Sequence, residues 1–290
     1  SAPELAISMN SMVAGNTEMV LGNIIGSNIA NIFLILGMAS LFHNLVIKTN
    51  TVKKELPIVI LMTTLLIVLM NDMWFDPVAI NSLTRSDGIV ILLFFMVFVY
   101  YLIYTIRKGH HEDDKPKFKK TKSAVLTVLG IAGIIVGSDL VVHHATNIAT
   151  ILGISQRFIS LTIVAIGTSL PELVTSVVAA MKGEEDIAIG NVVGSSIFNI
   201  GCVLGLSIGL LGPITTLTFS YMDLLMLILS AVLLFIAAAK DAKITHREGT
   251  VYLILKKAPF NKLIKILLTF SLSSSTHSTS NSSYVINVLP

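Results

Sequence analysis

Apolar residues in this chain gather into long runs instead of the short alternations of a soluble domain. A membrane-crossing helix needs roughly 20 mostly apolar residues. Runs of that kind follow one another at about Val20–Phe42, Leu56–Met70, Gly88–Ile106, Ala124–His143, Phe158–Met181, Ile187–Leu211 and Tyr221–Ala239. A shorter, semi-polar helix is expected from Ser1 to about Val13, and a weak final segment starts near Thr250. The pattern predicts seven spans, a fragment in front and a weakly apolar segment behind.

The loops between these runs differ in charge. Numbered alternately, one set holds Lys48, Lys53 and Lys54, then Arg107, Lys108, Lys115, Lys117, Lys119, Lys120 and Lys122, then Lys182, then Lys240, Lys243 and Arg247. The other set holds only Arg85 and Arg157, with Asp72, Asp76 and Asp87 near the first. Basic loops stay cytoplasmic, so the asymmetry supports the span count and sets an orientation. Composition agrees: 13% of the residues are charged, against about 25% in soluble domains, and the mean hydropathy is +0.83. The single cysteine, Cys202, excludes an internal disulfide and reads as helix packing. No signal peptide is expected, because Ser1-Ala2-Pro3-Glu4 opens the chain without a charged or apolar leader region.

Self-similarity is the most informative feature. Ser1-Ala2-Pro3-Glu4-Leu5 returns as Ser169-Leu170-Pro171-Glu172-Leu173. At the same offset of 168, Gly22-Asn23-Ile24-Ile25-Gly26-Ser27-Asn28-Ile29-Ala30-Asn31-Ile32 matches Gly190 through Ile200. Ungapped, 15 of 37 positions are identical. Counting from the first S-x-P-E helix to its counterpart gives five spans, an odd number, so the copies run in opposite directions. Inverted repeats of this kind build secondary transporters, with the substrate site near the midplane at the repeat interface. The organisation expected is a first repeat over 1–106, a basic cytoplasmic linker over 107–122, a second repeat over 123–255 and an atypical polar tail over 256–290.

Glu4 and Glu172 carry the chemistry. A carboxylate within a span is costly and marks function by default. Glu172 follows Leu161–Thr168 and is too deep to reach the interface. Pro3 and Pro171 precede each Glu, and a proline inside a helix removes a backbone hydrogen bond and frees carbonyl oxygens. Thr168 and Ser169 add hydroxyls at that level. The other repeated block places Asn23, Ser27 and Asn31, and likewise Asn191, Ser195 and Asn199, at i, i+4, i+8 along one helix face. Asn31, Asn199, Ser27 and Ser195 are expected to supply neutral oxygens opposite the two Glu, and Gly22, Gly26, Gly190 and Gly194 a close-packed seam. Hard oxygens in such a cluster suit calcium, which takes 6–8 of them, and sodium. Two carboxylates offset one Ca²⁺ or two Na⁺. Asp139 reads as a helix-end or inter-helix hydrogen-bonding residue in preference to a proton relay, and Glu18 and Asp186 as acids favouring a helix N-terminus.

Gly167-Thr168-Ser169-Leu170-Pro171-Glu172 with Gly190 through Asn199 resembles the alpha-repeat of the sodium/calcium exchanger family, within the calcium/cation antiporter superfamily. Ser1-Ala2-Pro3-Glu4 with Gly22 through Asn31 resembles the first alpha-repeat. The resemblance implies an all-α membrane protein of ten helices in two inverted halves, the first helix missing here. It implies exchange of Ca²⁺ for Na⁺ by alternating access at Glu4, Ser27, Asn31, Thr168, Ser169, Glu172 and Ser195, with Asn199, Ser1 and the carbonyl of Ala165. No cofactor is implied, only the transported ions and the lipid bilayer, and the expected location is the plasma membrane. Asn199 stands where some members carry Asp, which bears on ion ratio and proton coupling. The front of the first ion-binding helix and the serine-rich Ser271–Ser283 depart from the family, so a truncated or frame-shifted copy is expected. The alternatives are a Ca²⁺/H⁺ or K⁺-dependent antiporter, or an inactive remnant. An intramembrane enzyme is disfavoured because His43, His143 and His144 are not near either motif. Nucleic-acid binding is disfavoured because the basic loop lacks interleaved aromatics.

Overall fold

The computed structural model describes residues 1–75, 80–108, 120–154, 156–215 and 221–255. Their helices are α1 (Ala2–Val13), α2 (Thr17–Phe42), α3 (Leu56–Leu69), α4 (Arg85–Lys108), α5 (Lys120–Ile151), α6 (156–168), α7 (Leu170–Met181), α8 (Glu185–Leu211), α9 (Tyr221–Asp241) and α10 (246–255). Four short strands accompany them: β1 (Leu45–Val46), β2 (Ser82–Leu83), β3 (Ile214–Thr215) and β4 (Lys243–Ile244). Most of the linker and the whole of 256–290 lie outside the described residues.

Each repeat begins with the same hairpin. Gly15 closes α1 with φ +72° and Gly183 closes α7 with φ +73°, a left-handed geometry that only glycine adopts readily. In both turns the carbonyls orphaned at the helix end are satisfied in the same way. The Asn16 N–H donates to Ser11 O at 2.8 Å, and the Glu184 N–H to Ala179 O at 2.9 Å. Glu18 and Asp186 sit in the first turns of α2 and α8, where the helix dipole favours an acid.

The two halves are antiparallel copies. β1 pairs with β4, and β2 with β3, both antiparallel. Exchanging the repeats converts one pair into the other, as a two-fold axis in the membrane plane requires. At one end of the molecule the C-terminus of α2 meets the N-terminus of α8. There Lys48 Nζ lies 2.6 Å from Asp186 Oδ2 and His43 Nδ1 3.0 Å from Glu185 Oε1.

α2 and α8 form the centre: 83% and 61% of their most apolar stretches are buried, against 11% for α4. α4 turns Ile89, Leu93, Phe94 and Val97 outward, as lipid contact demands. Its inner side meets α8 closely. A Cβ on Gly88 would fall 2.7 Å from the Gly209 nitrogen, and one on Gly205 2.8 Å from Leu92 Cγ.

Among the described residues, four helices are long and apolar enough to cross a membrane: α2, α4, α8 and α9. Thr162–Thr168 and Leu170–Met181 pass together but are bent by 50°. The expected span Phe158–Met181 is thus two helices that meet at Ser169. α3 keeps 14 regular residues behind a π-helical turn at Thr51–Glu55. Two expectations are corrected. Asp139 does not end its helix: it lies well inside α5, which runs on to Ile151. Gly190 and Gly194 have open space where a Cβ would stand, so they make no close seam.

Candidate functional site

Glu4 and Glu172 occupy the first turns of α1 and α7. Pro3 and Pro171 sit in the opening positions of these helices. There a missing N–H costs nothing, since the first-turn donors have no intrahelical partner. The proline therefore starts a helix, where an interior kink was expected. Its consequence for the site survives: Pro171 offers no N–H to the carbonyl four residues back, at Gly167. The carboxylates are 0% and 4% exposed and lie at the positive ends of two helix dipoles.

Each carboxylate is held by the other repeat. Ser1 Oγ donates to Glu172 Oε1 at 3.4 Å, and Ser169 Oγ donates to Glu4 Oε1 at 3.4 Å. The Ser1 nitrogen lies 2.7 Å from the same Glu172 oxygen. The second oxygens, Glu4 Oε2 and Glu172 Oε2, are buried without a hydrogen-bond partner. Leaving such an atom unpaired is expensive, and two at symmetry-related places define a site that attracts positive charge.

Behind each carboxylate stands an asparagine. Asn23 Nδ2 donates to the Glu4 carbonyl at 3.3 Å and to Ser8 Oγ at 3.2 Å. Asn191 Nδ2 repeats this on the Glu172 carbonyl at 3.1 Å and Ser176 Oγ at 2.9 Å. Ser8 and Ser176 were missed as site-shaping residues, although their identity at the 168 offset was a visible signal.

The break before α7 is filled by hydroxyls. Thr168 Oγ1 donates to Asn23 Oδ1 at 3.1 Å and approaches Ala165 O at 3.2 Å. Ser27 Oγ reaches Ala165 O and Thr168 Oγ1, each at 3.3 Å. The fold thus gathers Ser27, Ala165 and Thr168 into one hydrogen-bonded group, joined through Asn23 to the turn that carries Glu4. Ser195 is buried one turn before Asn199 on α8.

Asn31 and Asn199 are both 0% exposed and each opens a π-helical turn, Asn31–Leu36 and Asn199–Leu204. Single π turns widen a helix and recur at functional positions. Neither Asn31 side-chain atom has a partner, and Asn199 Oδ1 has none. Unpaired amide oxygens thus occur in both repeats, as the unpaired carboxylate oxygens do. No group of three or more His, Cys, Asp or Glu is assembled among the described residues; the side chains gathered here present carboxylate, hydroxyl and amide oxygens.

The chain is similar to known proteins. Residues 1–104 and 122–255 match the family described as sodium/calcium exchanger protein. The chain is 35% identical over 218 residues to the inner membrane protein YrbG of Escherichia coli, a match covering 71% of this chain and 64% of that protein, under two thirds of its length. It is 30% identical over 289 residues to the sodium/calcium exchanger MaX1 of Methanosarcina acetivorans, covering 88% and 82% of the two chains. Among solved structures it superposes on the sodium-calcium exchanger NCX_Mj, soaked with 2.5 mM Na⁺ and 0.1 mM Ca²⁺, with a TM-score of 0.71 at 30% identity over 90% of this chain and 82% of that one. The chain is an integral membrane protein that belongs to the sodium/calcium exchanger family, a family of transporters and not of enzymes.

Proposed function

We propose that this protein is a secondary active antiporter that exchanges Ca²⁺ for Na⁺ by alternating access. The observation that carries the reading is the reciprocal clamp at the centre. Each buried carboxylate is oriented by a serine of the opposite repeat and keeps one oxygen without a partner. Glu4 and Glu172 supply the charge. Ser1, Ser27, Thr168, Ser169 and Ser195 supply hydroxyl oxygens, Asn31 and Asn199 amide oxygens, and Ala165 its carbonyl. Hard cations of this size are held by oxygen sets of this kind.

Two carboxylates neutralise one Ca²⁺ or two Na⁺, so the ions compete for one set of ligands. Competition couples their movements when the site opens to one side at a time. The inverted halves provide the motion, since one repeat can rock against the other around a fixed site. The transported ions suffice, with no further cofactor. The basic loops face the cytoplasm of a cell bounded by the plasma membrane.

The test is ⁴⁵Ca uptake into sodium-loaded vesicles, with and without a sodium gradient, beside Glu172→Gln. Uptake that needs the gradient and falls to the level of empty vesicles in the variant is the expected result. Uptake indifferent to sodium and driven by a pH gradient would replace the assignment by calcium/proton exchange.

A further inference from the structure

The repeats differ at one buried position beside the site. Offset 168 aligns Asn28 with Ser196, and the two side chains behave differently. Asn28 Oδ1 accepts a hydrogen bond from Asn199 Nδ2 at 3.4 Å. Ser196 Oγ instead donates back to Val192 O at 2.9 Å, one turn earlier on its own helix. The result is an unequal pair of site amides. Asn199 has its nitrogen engaged and only its oxygen orphaned, whereas Asn31 has both ends orphaned. Asn28 and Asn199 are 2% and 0% exposed, so water does not compete freely for this contact.

An amide is a two-ended group: one end donates, the other accepts. A cation accepts only the oxygen end. Whatever holds the nitrogen away therefore decides whether the amide is a ligand in advance or must be turned by the ion. We propose that Asn28 is a positioning residue for ion exchange: it engages the Asn199 nitrogen and leaves Asn199 Oδ1 committed to the cation, while Asn31, lacking such a partner, is oriented by the ion itself. The inference rests on the antiporter reading above and deepens it. It makes the two halves of the site unequal, with the second repeat pre-organised and the first adaptable. Ligands fixed beforehand bind more tightly because the ordering cost is already met.

The experiment compares wild type, Asn28→Ala, Asn199→Asp and the double variant in sodium-loaded vesicles, reading initial ⁴⁵Ca uptake against external Ca²⁺. A carboxylate at 199 presents oxygen whichever way it turns, so it needs no orienting partner. Asn28→Ala should raise the KM for Ca²⁺ about three- to tenfold, the range expected for one lost neutral hydrogen bond, with the maximal rate within about twofold. In the Asn199→Asp background the same change should move KM by less than about twofold. An equal rise of KM in both backgrounds would reduce Asn28 to a packing residue and overturn the proposal. So would an unchanged KM in Asn28→Ala. The Ca²⁺-dependent rise in melting temperature of the detergent-solubilised protein gives a second readout. It should shrink in Asn28→Ala and be unaffected by that change in the Asn199→Asp background. A wild type with neither sodium-driven uptake nor a Ca²⁺-dependent shift would sink the antiporter reading and this inference together. A normal wild type with an Asn28→Ala variant indistinguishable from it sinks this inference alone.

Discussion

Asn23 and Asn191 perform one task at two symmetry-related places, and their surroundings set different costs for removing them. Both brace the first turn of a site helix through a Glu carbonyl and a serine hydroxyl. Asn23 also accepts from Thr168 and is completely buried, whereas Asn191 is half-buried. Truncating a buried partner strands the groups it served, at about 1–3 kcal/mol. Asn23→Ala should therefore destabilise the protein by about 1 kcal/mol more than Asn191→Ala. Thermal unfolding in detergent, followed by tryptophan fluorescence from Trp74, checks the order, and equal midpoints would refute the bracing argument. At this scale the sequence was legible where polar residues recur at a fixed offset: Glu4 with Glu172, Ser27 with Ser195, Asn31 with Asn199. It was less legible for roles that depend on which atom faces which. Spacing along one helix face groups Asn23 with Ser27 and Asn31, but Asn23 spends its hydrogen bonds on the backbone of α1 and on Thr168. The role of Asn28 could not be read from a repeat alignment at all, because it arises where the repeats differ.

Among the elements, apolarity located the helices and hydrogen bonding set their ends. α5 reaches Ile151, past the expected end near His143, so Asp139 stands away from the helix end. The 50° bend at Ser169 was signalled by Pro171, yet its position two residues earlier was not, since proline is equally at home starting a helix. The π turns at Asn31 and Asn199 have no signature in hydropathy. Of the four glycines expected to form a close seam, the two on α8 do not. Gly190 and Gly194 stand over open space, while Gly88 meets the backbone of α8. Gly88→Ala should separate α4 from α8 and cost about 1–3 kcal/mol, as over-packing does. Gly130→Ala, on α5 with nothing within 4 Å of the added methyl, should be neutral or stabilising by up to about 1 kcal/mol through helix propensity. Melting midpoints of the two variants in the same detergent test the contrast, and a Gly88→Ala variant as stable as wild type would remove the close contact from the account.

For the whole molecule, two-fold inversion makes a prediction about sides. The β1–β4 pair and the Lys48–Asp186 contact place Lys48, Lys182 and Lys243 at one end. Lys54 lies over the Tyr101 ring at 5.4 Å, which brings the end of α4, with Arg107 and Lys108, to that same end. The β2–β3 pair, followed by Ser86 at the start of α4, occupies the opposite end. The repeat offset and the alternating charges in the sequence already implied this division; strand pairing between halves supplies the physical link. Basic residues resist translocation, so the lysine-rich end should face the cytoplasm. With Cys202→Ala as background, single cysteines at the exposed positions Lys182 and Ser86 report on each end. A membrane-impermeant maleimide should label Ser86→Cys in intact cells and label Lys182→Cys only after permeabilisation. The reverse pattern would keep the inverted fold and overturn the orientation. Labelling of both from the same side would place the two strand pairs on one face, which no even division of inverted repeats across a bilayer allows, and the transport reading would lose the two-sided frame on which alternating access depends.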